Sequence, residues 1–261
     1  MPEAYDTIGT TYGRTRRPDP RIEHALLRGL GTASRVVNVG AGAGSYEPRD
    51  RTVVAVEPSE TMIGQRPPDA APAVKAWASD LPFDDDAFDA ALAVLTVHHW
   101  PDPIAGMDEM RRVARGPRVV LTFDHEVHRR QWLVTDYLPS MGDLDRHLPS
   151  PSAIAAALGG GAVHVLPVPH DCLDGFCHSW WRRPEAYLDP AVRAGISGIA
   201  RLPEPVVDRA MARLADDLAS GRWNAAHADL LDRDRIDAGY RIVVAGPGQQ
   251  GDTPGVASVT G

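Results

Sequence analysis

Three closely spaced glycines form the first candidate binding element of the chain. They occur in VVNVGAGAGSYEP, residues 36–48, where a valine-rich run leads into Gly40, Gly42 and Gly44. Glycine suits a loop whose backbone approaches a ligand closely or takes positive φ angles. A dinucleotide fingerprint, G-x-G-x-x-G, would place its third glycine at position 45, which is Ser45, and a Walker loop would continue with G-K-[ST]. The spacing therefore indicates a nucleotide-type loop that belongs to neither class.

A carboxylate follows the next apolar run. Glu57 stands in VVAVEPS, 17 residues after Gly40. A carboxylate at the end of the strand that follows a glycine loop can accept both hydrogen bonds of a ribose 2′,3′-diol. Since the loop and the acid occur together, we predict that Glu57 holds a ribose.

Histidines supply the candidate general bases. His98 and His99 follow a later apolar run, in TVHHWPD. Imidazole is the side chain most often used to move protons in enzymes. Further acid–base groups follow other apolar runs and stay open as alternatives, as do purely structural roles: Asp124, His125, His170 and Asp171.

The two cysteines do not favour a metal site. Cys172 and Cys177 are spaced C-x4-C, with His170 and His178 alongside. A zinc site usually shows two tight ligand pairs in the sequence. We therefore expect reduced thiols and no bound metal.

Short apolar runs predict the strands that position these residues. They are RVVNV (35–39), TVVAV (52–56), AVKAW (73–77), FDAALAVLTV (88–97), RVVLTF (118–123), AVHVLPV (162–168) and YRIVVAG (240–246). Helical segments are predicted at 19–31, 102–116, 128–148, 150–161 and 206–221, and that at 102–116 places Ile104, Met107, Met110 and Val113 on one stripe. Strand–helix alternation predicts an α/β, Rossmann-like, doubly wound sheet.

The domain plan follows from the positions of these elements. We expect N-terminal lid helices in residues 1–31 and a cofactor-binding core in 32–168 and 239–246. Residues 169–238 would form a helical insertion near the substrate site. Residues 247–261 are rich in Gly, Gln, Pro, Ser and Thr and predict a disordered tail.

Charge and hydropathy limit the classes of partner. The net charge of −8 disfavours a nucleic-acid or anionic-membrane binder, whose surface would be basic. No apolar run reaches the roughly 18 residues of a membrane-spanning helix, and MPEAYDTIGTTYGRTRR lacks the apolar centre of a signal peptide. We expect a cytoplasmic protein that acts on a small molecule.

The motifs together resemble the class I S-adenosylmethionine-dependent methyltransferases, most of all the type 11 branch that includes ubiquinone and menaquinone biosynthesis enzymes. VVNVGAGAG, AVEPSETMI, SDLPFDDDAFDAAL, AVLTVHHWPDP and EMRRVARGPRVVLTF occur in that family's order and spacing, and YDTIGTTYGRTRRPDPRI resembles its lid helix. The resemblance implies a seven-stranded sheet with an antiparallel last strand. It also implies S-adenosyl-L-methionine as cofactor and S-adenosyl-L-homocysteine as product.

The resemblance also implies roles for single residues. Gly40, Ala41 and Gly42 would approach the methionyl group, Glu57 the ribose, and Pro58 and Met62 the adenine. The remaining implied site residues are Tyr5, Tyr12 and Arg17 from the lid, Val94, Leu95 and Val97 as a floor, Ala78 beside the adenine, and His98 and His99 beside the sulfonium.

Two positions depart from the family pattern. Asn38 stands where the family carries an acid that helps hold the cofactor's ammonium, and it keeps an oxygen acceptor without the charge. Trp77 and Ser79 replace two acids in AWASDLPF. Trp77 either stacks on the adenine or is a core residue at a strand end.

The predicted function is in-line methyl transfer to an O, N or C atom of a small metabolite. A cofactor-binding scaffold without methyl transfer is the alternative, and a nicotinamide-dependent oxidoreductase is a weaker one. The segments 1–31, 124–150 and 169–238 are predicted helical additions to the sheet. Their aromatic residues indicate either the core of a lid or a pocket for a flat molecule, and they include Trp132, Trp180, Trp181 and Trp223. Arg182 and Arg183 could bind an anionic group.

Overall fold

Seven strands form one mixed sheet, and two further strands pair separately. The computed structural model describes residues 16–246, so the predictions for Tyr5, Tyr12 and the 247–261 tail lie outside the described residues. The strands are β1 Arg35–Val39, β2 Thr52–Val56, β3 Ala73–Val74, β4 Ala90–Val94, β5 Arg118–Phe123, β6 Gly161–Val165, β7 Val168–Pro169, β8 Arg235–Ile236 and β9 Tyr240–Ala245. In the large sheet their spatial order is β3-β2-β1-β4-β5-β9-β6, and β7 pairs with β8.

The direction of the strands confirms the predicted fold class. Strands β1 to β5 pair in parallel. Only β9 is reversed within this sheet, and it pairs antiparallel with both β5 and β6. The carboxyl ends of the parallel strands therefore meet at one edge of the sheet, which is where ligands bind in such folds.

The helices cover both faces of the sheet and build the additions after β5. They are α1 Pro20–Leu30, α2 Glu60–Gly64, α3 Pro103–Val113, α4 His125–His128, α5 Pro151–Ala157, α6 Pro190–Ala194, α7 Ser197–Ala200, α8 Glu204–Ala219, α9 Arg222–Ala226 and α10 Ala228–Leu231. Capping sets where the first of them begins, because the Asp19 carboxylate accepts a hydrogen bond from the Arg21 amide and Pro20 occupies the first turn.

Three predicted elements are shorter or more broken than the sequence indicated. The third strand spans two residues rather than 73–77, and the sixth apolar run divides between β6 and β7. Segment 128–148 is not one helix. It forms a π turn at Leu133–Tyr137 and a 3-10 turn at Pro139–Asp143, because Pro139 lacks the amide hydrogen that a continuous helix requires.

Two apolar layers enclose the sheet. Ile22, Leu26 and Leu30 of α1 pack on one face, and Met107, Met110 and Val113 of α3 pack on the other. The predicted stripe of α3 is wrong at Ile104, whose side chain is 47% exposed. The helix buries Gly106 instead, where a Cβ would overlap the ring of Trp100.

The additions have an apolar core of their own. Trp132 and Trp223 meet edge to face with ring centroids 5.2 Å apart, and Trp132 also contacts Tyr187. The three rings and Leu214 of α8 belong to a buried cluster that is separate from the two layers on the sheet. The interpretation of the tryptophans as a lid core therefore holds for Trp132 and Trp223, whereas Trp181 packs in the layer of α1.

The arginine pair of the additions bonds to backbone carbonyls. Arg182 donates to the carbonyl oxygens of Leu231 and Arg233, and Arg183 donates to those of Cys172 and Ser179. Both guanidinium groups thus fix loop backbone, and the interpretation of the pair as an anion site stays a prediction. Within residues 16–246, no helix has the length and apolar character needed to cross a membrane.

Helix α3 provides a test of this packing. Met110 is fully buried, so Met110→Ala removes a core side chain and should lower the free energy of unfolding by roughly 2–5 kcal/mol in urea denaturation. Ile104→Ala on the same helix is the matched control and should change it by about 0.5 kcal/mol or less. Equal losses from the two variants would contradict the observed orientation of the helix.

Candidate active site

The glycine loop follows β1 and lies against the ends of two neighbouring strands. The amides of Gly40 and Ala41 donate to the Val56 carbonyl oxygen at 2.8 and 3.0 Å. Gly40 has φ +69°, and a Cβ there would overlap the side chain of Thr96. Gly42 has φ +53°, and its Cβ would lie 3.2 Å from Met62 Cε. Close approach and positive φ thus both require glycine, as the sequence pattern indicated.

The Glu57 carboxylate joins the glycine loop to helix α2. Its Oε2 accepts from the Gly42 amide at 2.8 Å, and its Oε1 accepts from the Ser59 amide at 3.0 Å. The residue is 6% exposed and stands directly after β2. A carboxylate is an acceptor-only group of the type that binds ligand hydroxyls.

Asn38 is explained by a carboxylate that sequence reasoning missed. The Asn38 Nδ2 donates to Glu47 Oε1 at 3.2 Å, and Arg66 Nη2 reaches both oxygens of Glu47 at 2.7 and 2.8 Å. Arg66 also donates to the Gly42 carbonyl oxygen. An acid at position 38 would face a second carboxylate, whereas an amide donates to it. No pattern in the sequence indicates this contact, since Glu47 lies in an irregular loop.

The other amide atom of Asn38 is available to a ligand. Asn38 is 1% exposed, and its Oδ1 finds no hydrogen-bond partner within residues 16–246. The hydrogen bond to Glu47 fixes which atom is oxygen, because the reversed amide would set oxygen against oxygen. A buried acceptor without a donor costs free energy. This atom therefore fits a cationic or N–H group bound over the loop.

The residues expected beside an adenine differ in how deeply they are buried. Met62 is buried under Gly42, and Ala78 is buried against α3. Trp77 is 44% exposed, so its interpretation as a core residue is wrong. Pro58 is partly buried, and Ser79 is exposed. An exposed indole beside a groove can cover a flat ligand.

A cavity that opens to solvent lies beyond the end of β4. The core contributes Leu95, His98, Phe123 and Tyr240, and the additions contribute a wall that includes His128, Met141, Phe176, Cys177, Ile196 and Ser197. Thr96, which touches the glycine loop, stands between Leu95 and His98. Leu95 has φ +50°, a conformation that is rare for a leucine and typical of functional sites. The cavity and the glycine loop thus both contact the segment that follows β4.

The candidate histidines form a pair in ring contact at this end, with their planes inclined by 49°. The ring centroids of His98 and His99 lie 3.8 Å apart, and His98 lies 5.2 Å from Phe123. Burial, and next the neighbouring His99, hold the pKa of His98 well below its usual range. Burial, helped by the Arg201 and Arg16 charges, lowers the pKa of His99 to about 3. Both imidazoles are therefore neutral at pH 7 and can accept a hydrogen bond, but the lowered pKa values make them weak bases.

Arg16 is the second residue that sequence reasoning missed. It lines the cavity, and its guanidinium donates to both oxygens of Asp174, at 2.5 and 3.1 Å. The Tyr46 hydroxyl donates to the same carboxylate at 3.0 Å and accepts from the Asp19 amide. Arg17, which the resemblance placed at the site, is exposed. The only sequence signal was the cluster of arginines that contains both residues.

The alternative bases have other contacts. Asp124 caps α4, and Asp171 pairs with Arg21 at 2.7 Å on the surface. His125 pairs with Glu126 at 3.1 Å. These three residues and His170 are not among those that line the cavity. Of the two candidate histidines, His98 lines the cavity, and His99 is in ring contact with His98.

Comparison with known proteins agrees with this arrangement. A model of the methyltransferase domain family matches residues 37–117. A demethylmenaquinone methyltransferase of Clavibacter sepedonicus is 37% identical over 134 residues, which cover 45% of this chain and 55% of the relative. An uncharacterised methyltransferase of Mycobacterium tuberculosis is 32% identical over 128 residues, covering 46% and 51%. The chain spans about half the length of the curated relatives it matches.

One solved structure is similar over nearly its whole length. It is the crystal structure of a proposed methyltransferase from an antibiotic biosynthesis pathway of Anabaena variabilis, 32% identical, with a TM-score of 0.82. The match covers 88% of this chain and 98% of that chain, so it includes most of the additions. Fold, loop and relatives define a class I methyltransferase. The chain belongs to the S-adenosylmethionine-dependent methyltransferases.

The contact between Asn38 and Glu47 generates a stability prediction. Asn38→Asp removes the amide donor and sets two carboxylates together, so it should lower the free energy of unfolding by about 1–3 kcal/mol. In the double variant Asn38→Asp/Glu47→Gln, position 47 carries the amide and position 38 the carboxylate, so a donor again faces an acceptor. Urea denaturation should show a loss smaller than the sum of the two single losses. Strictly additive losses would contradict the direct contact.

The neutral histidines generate a titration prediction. Because the pKa of His99 is lowered to about 3, its imidazole should stay neutral throughout the range from pH 8 to pH 5. The measurement is ¹⁵N NMR of histidine-labelled protein, with the His99 signals assigned by their loss in His99→Gln. A His99 signal that titrates near pH 6.5 would show that the pair is not desolvated as described.

Proposed function

We propose that the protein transfers the methyl group of S-adenosyl-L-methionine to a small-molecule acceptor bound in the cavity beyond β4. The observation that carries the proposal is the shared strand end: Gly40 contacts Thr96, and Leu95, just before Thr96, and His98, two residues after it, line the cavity. A cofactor over the loop would present its methyl group to that cavity. Methyl transfer needs such alignment more than it needs protein-derived chemistry.

The residues present fit the cofactor. Glu57 offers carboxylate oxygens at the end of β2, and Asn38 offers a buried oxygen that no group in residues 16–246 satisfies. Gly40 and Gly42 take positive φ angles, which shape the loop after β1 as a backbone-lined binding surface. Met62 and Trp77 provide apolar surface on the adenine side. When bound, the cofactor supplies an activated methyl group on its sulfonium, and the protein positions the acceptor and excludes water.

The cavity favours a flat acceptor with a polar group. Phe123, Phe176 and Tyr240 provide aromatic surface, and His98 provides a neutral imidazole whose Nδ1 lacks a partner among the described residues. The charged residues that line the cavity are paired, since Arg16 contacts Asp174 and Asp145 contacts Arg201. A neutral acceptor therefore meets no uncompensated charge. His98 would accept a hydrogen bond from its hydroxyl or amine, and an O or N atom would receive the methyl group.

The small-molecule acceptor is supported by charge. A net charge of −8 opposes nucleic acids and anionic membranes as substrates. The relatives named above include a demethylmenaquinone methyltransferase, and a quinol-like ring is a flat acceptor of the kind that the cavity favours.

A transfer assay tests the proposal. The full chain is incubated with S-adenosyl-L-methionine that carries a labelled methyl group and with a panel of phenols, quinols and aromatic amines. Label should appear in at least one acceptor, and His98→Ala should lower turnover more than it lowers cofactor affinity. Cofactor binding without transfer to any of the acceptors would favour the scaffold alternative.

Glu57 generates a binding prediction. Glu57→Gln removes one anionic acceptor, so the affinity for S-adenosyl-L-homocysteine should fall by about 1–3 kcal/mol, measured by calorimetry. The matched control is Glu60→Gln, because Glu60 is an exposed acid three residues further on that pairs with Lys75. The affinity of Glu60→Gln for S-adenosyl-L-homocysteine should equal that of the unaltered chain. Equal affinity in Glu57→Gln would show that Glu57 does not contact the ribose.

A further inference from the structure

Three residues with metal-binding side chains meet at the wall of the cavity. His128 ends helix α4, and Cys177 and His178 lie in the additions. One ligand atom from each residue lies within 4.8 Å of those of the other two. The His128 and His178 rings are 4.1 Å apart between centroids. Sequence separation hid the cluster, because His128 precedes Cys177 by 49 positions.

The orientation of His178 indicates a ligand. His178 is 2% exposed, and its Nε2 is buried without a hydrogen-bond partner in residues 16–246. The same ring also hydrogen-bonds to the backbone of His128. This bond favours the protonated ring, as expected when a ring N–H donates to a carbonyl oxygen. A histidine held by one nitrogen while the other offers a lone pair is the usual arrangement of a metal ligand.

The two cysteines differ in their surroundings. Cys172 is buried and directs its Sγ to the Asp174 carbonyl oxygen at 3.7 Å. Cys177 lines the cavity together with His128, and the Asp145 carboxylate near it is paired with Arg201. Cys177 is thus the thiol that can bind a ligand from the cavity, and Cys172 serves as its natural control.

We propose that His128, Cys177 and His178 bind a zinc ion whose remaining coordination position faces the acceptor cavity. Two imidazoles and a thiolate are soft and borderline ligands that suit zinc and do not suit magnesium or calcium. Tetrahedral zinc with bonds of about 2.0–2.3 Å brings its ligand atoms to about 3.5 Å from one another. The three ligand atoms, which lie within 4.8 Å of one another, would have to move closer when the ion binds. Binding releases one proton, from the Cys177 thiol, because both imidazoles are already neutral.

The open position narrows the class of acceptor, and this step rests on the proposed function. A hydroxyl or thiol of the acceptor would become the fourth ligand and lose its proton more readily there. The oxygen or sulfur then forms the new bond to the methyl carbon as the methyl–sulfonium bond breaks. The bonding electron pair stays on the cofactor sulfur, and the acceptor proton passes to solvent. The acceptor is thus assigned to the phenols, alcohols or thiols.

The experiment measures metal binding without any methyl acceptor. The full chain is freed of metal by a chelator, then titrated with Zn²⁺ by calorimetry and with Co²⁺ by absorption. One equivalent of each ion should bind, and Co²⁺ should show thiolate charge-transfer absorption. Cys177→Ser should abolish that absorption, and His178→Gln should weaken Zn²⁺ binding at least tenfold. Cys172→Ala and His170→Gln are the controls and should retain both signals.

Folding and cofactor binding are checked separately. Each variant is measured by circular dichroism and for its affinity for S-adenosyl-L-homocysteine, so that loss of the metal site is distinguished from loss of the fold or of the cofactor site. Stoichiometric binding that depends on Cys177 and His178 in folded variants supports the site. Zn²⁺ binding that is absent, or that is equally tight in Cys177→Ser and His178→Gln, would overturn it whatever the transfer assay shows.

Discussion

The structure around the candidate site depends on the two hydrogen bonds that the Glu57 carboxylate accepts. One comes from the Gly42 amide of the loop after β1, and the other comes from the Ser59 amide that begins α2. A single buried side chain thus fixes two irregular segments at the same edge of the sheet. The Arg66 guanidinium completes the arrangement, since it bonds to the Gly42 carbonyl oxygen and to Glu47. The loop is therefore held in place before any ligand binds.

The elements that sequence reasoning predicted correctly are those determined by local pattern. Strands β1, β2 and β5 have the predicted bounds, because each is a continuous apolar run buried on both sides in a parallel sheet. The glycine spacing and Glu57 likewise depend on neighbours in the chain. Segment 128–148 was predicted poorly, because its two turns are shaped by packing of the additions as well as by Pro139.

Contacts between distant segments could not be predicted from the sequence. In the sequence, Asn38 is only a position where the family's acid is missing. The structure shows that Glu47 accepts its amide hydrogen. Arg16 could not be told from Arg17, since only the fold places one of them beside Asp174. The additions show the same limit: their tryptophans build a core, while Cys177, Ile196 and Ser197 from the same region form the cavity wall. One insertion thus stabilises itself and shapes the acceptor site.

The central claim is that the cofactor lies over the glycine loop with its sulfur toward the cavity beyond β4. A crystal structure of the full chain with S-adenosyl-L-homocysteine tests it most directly. The account predicts ribose hydroxyls within hydrogen-bond distance of Glu57, the ammonium beside Asn38 Oδ1, and the sulfur facing the cavity at His98. Density for the ligand away from Gly40 and Gly42, or a sulfur that points away from the cavity, would contradict it.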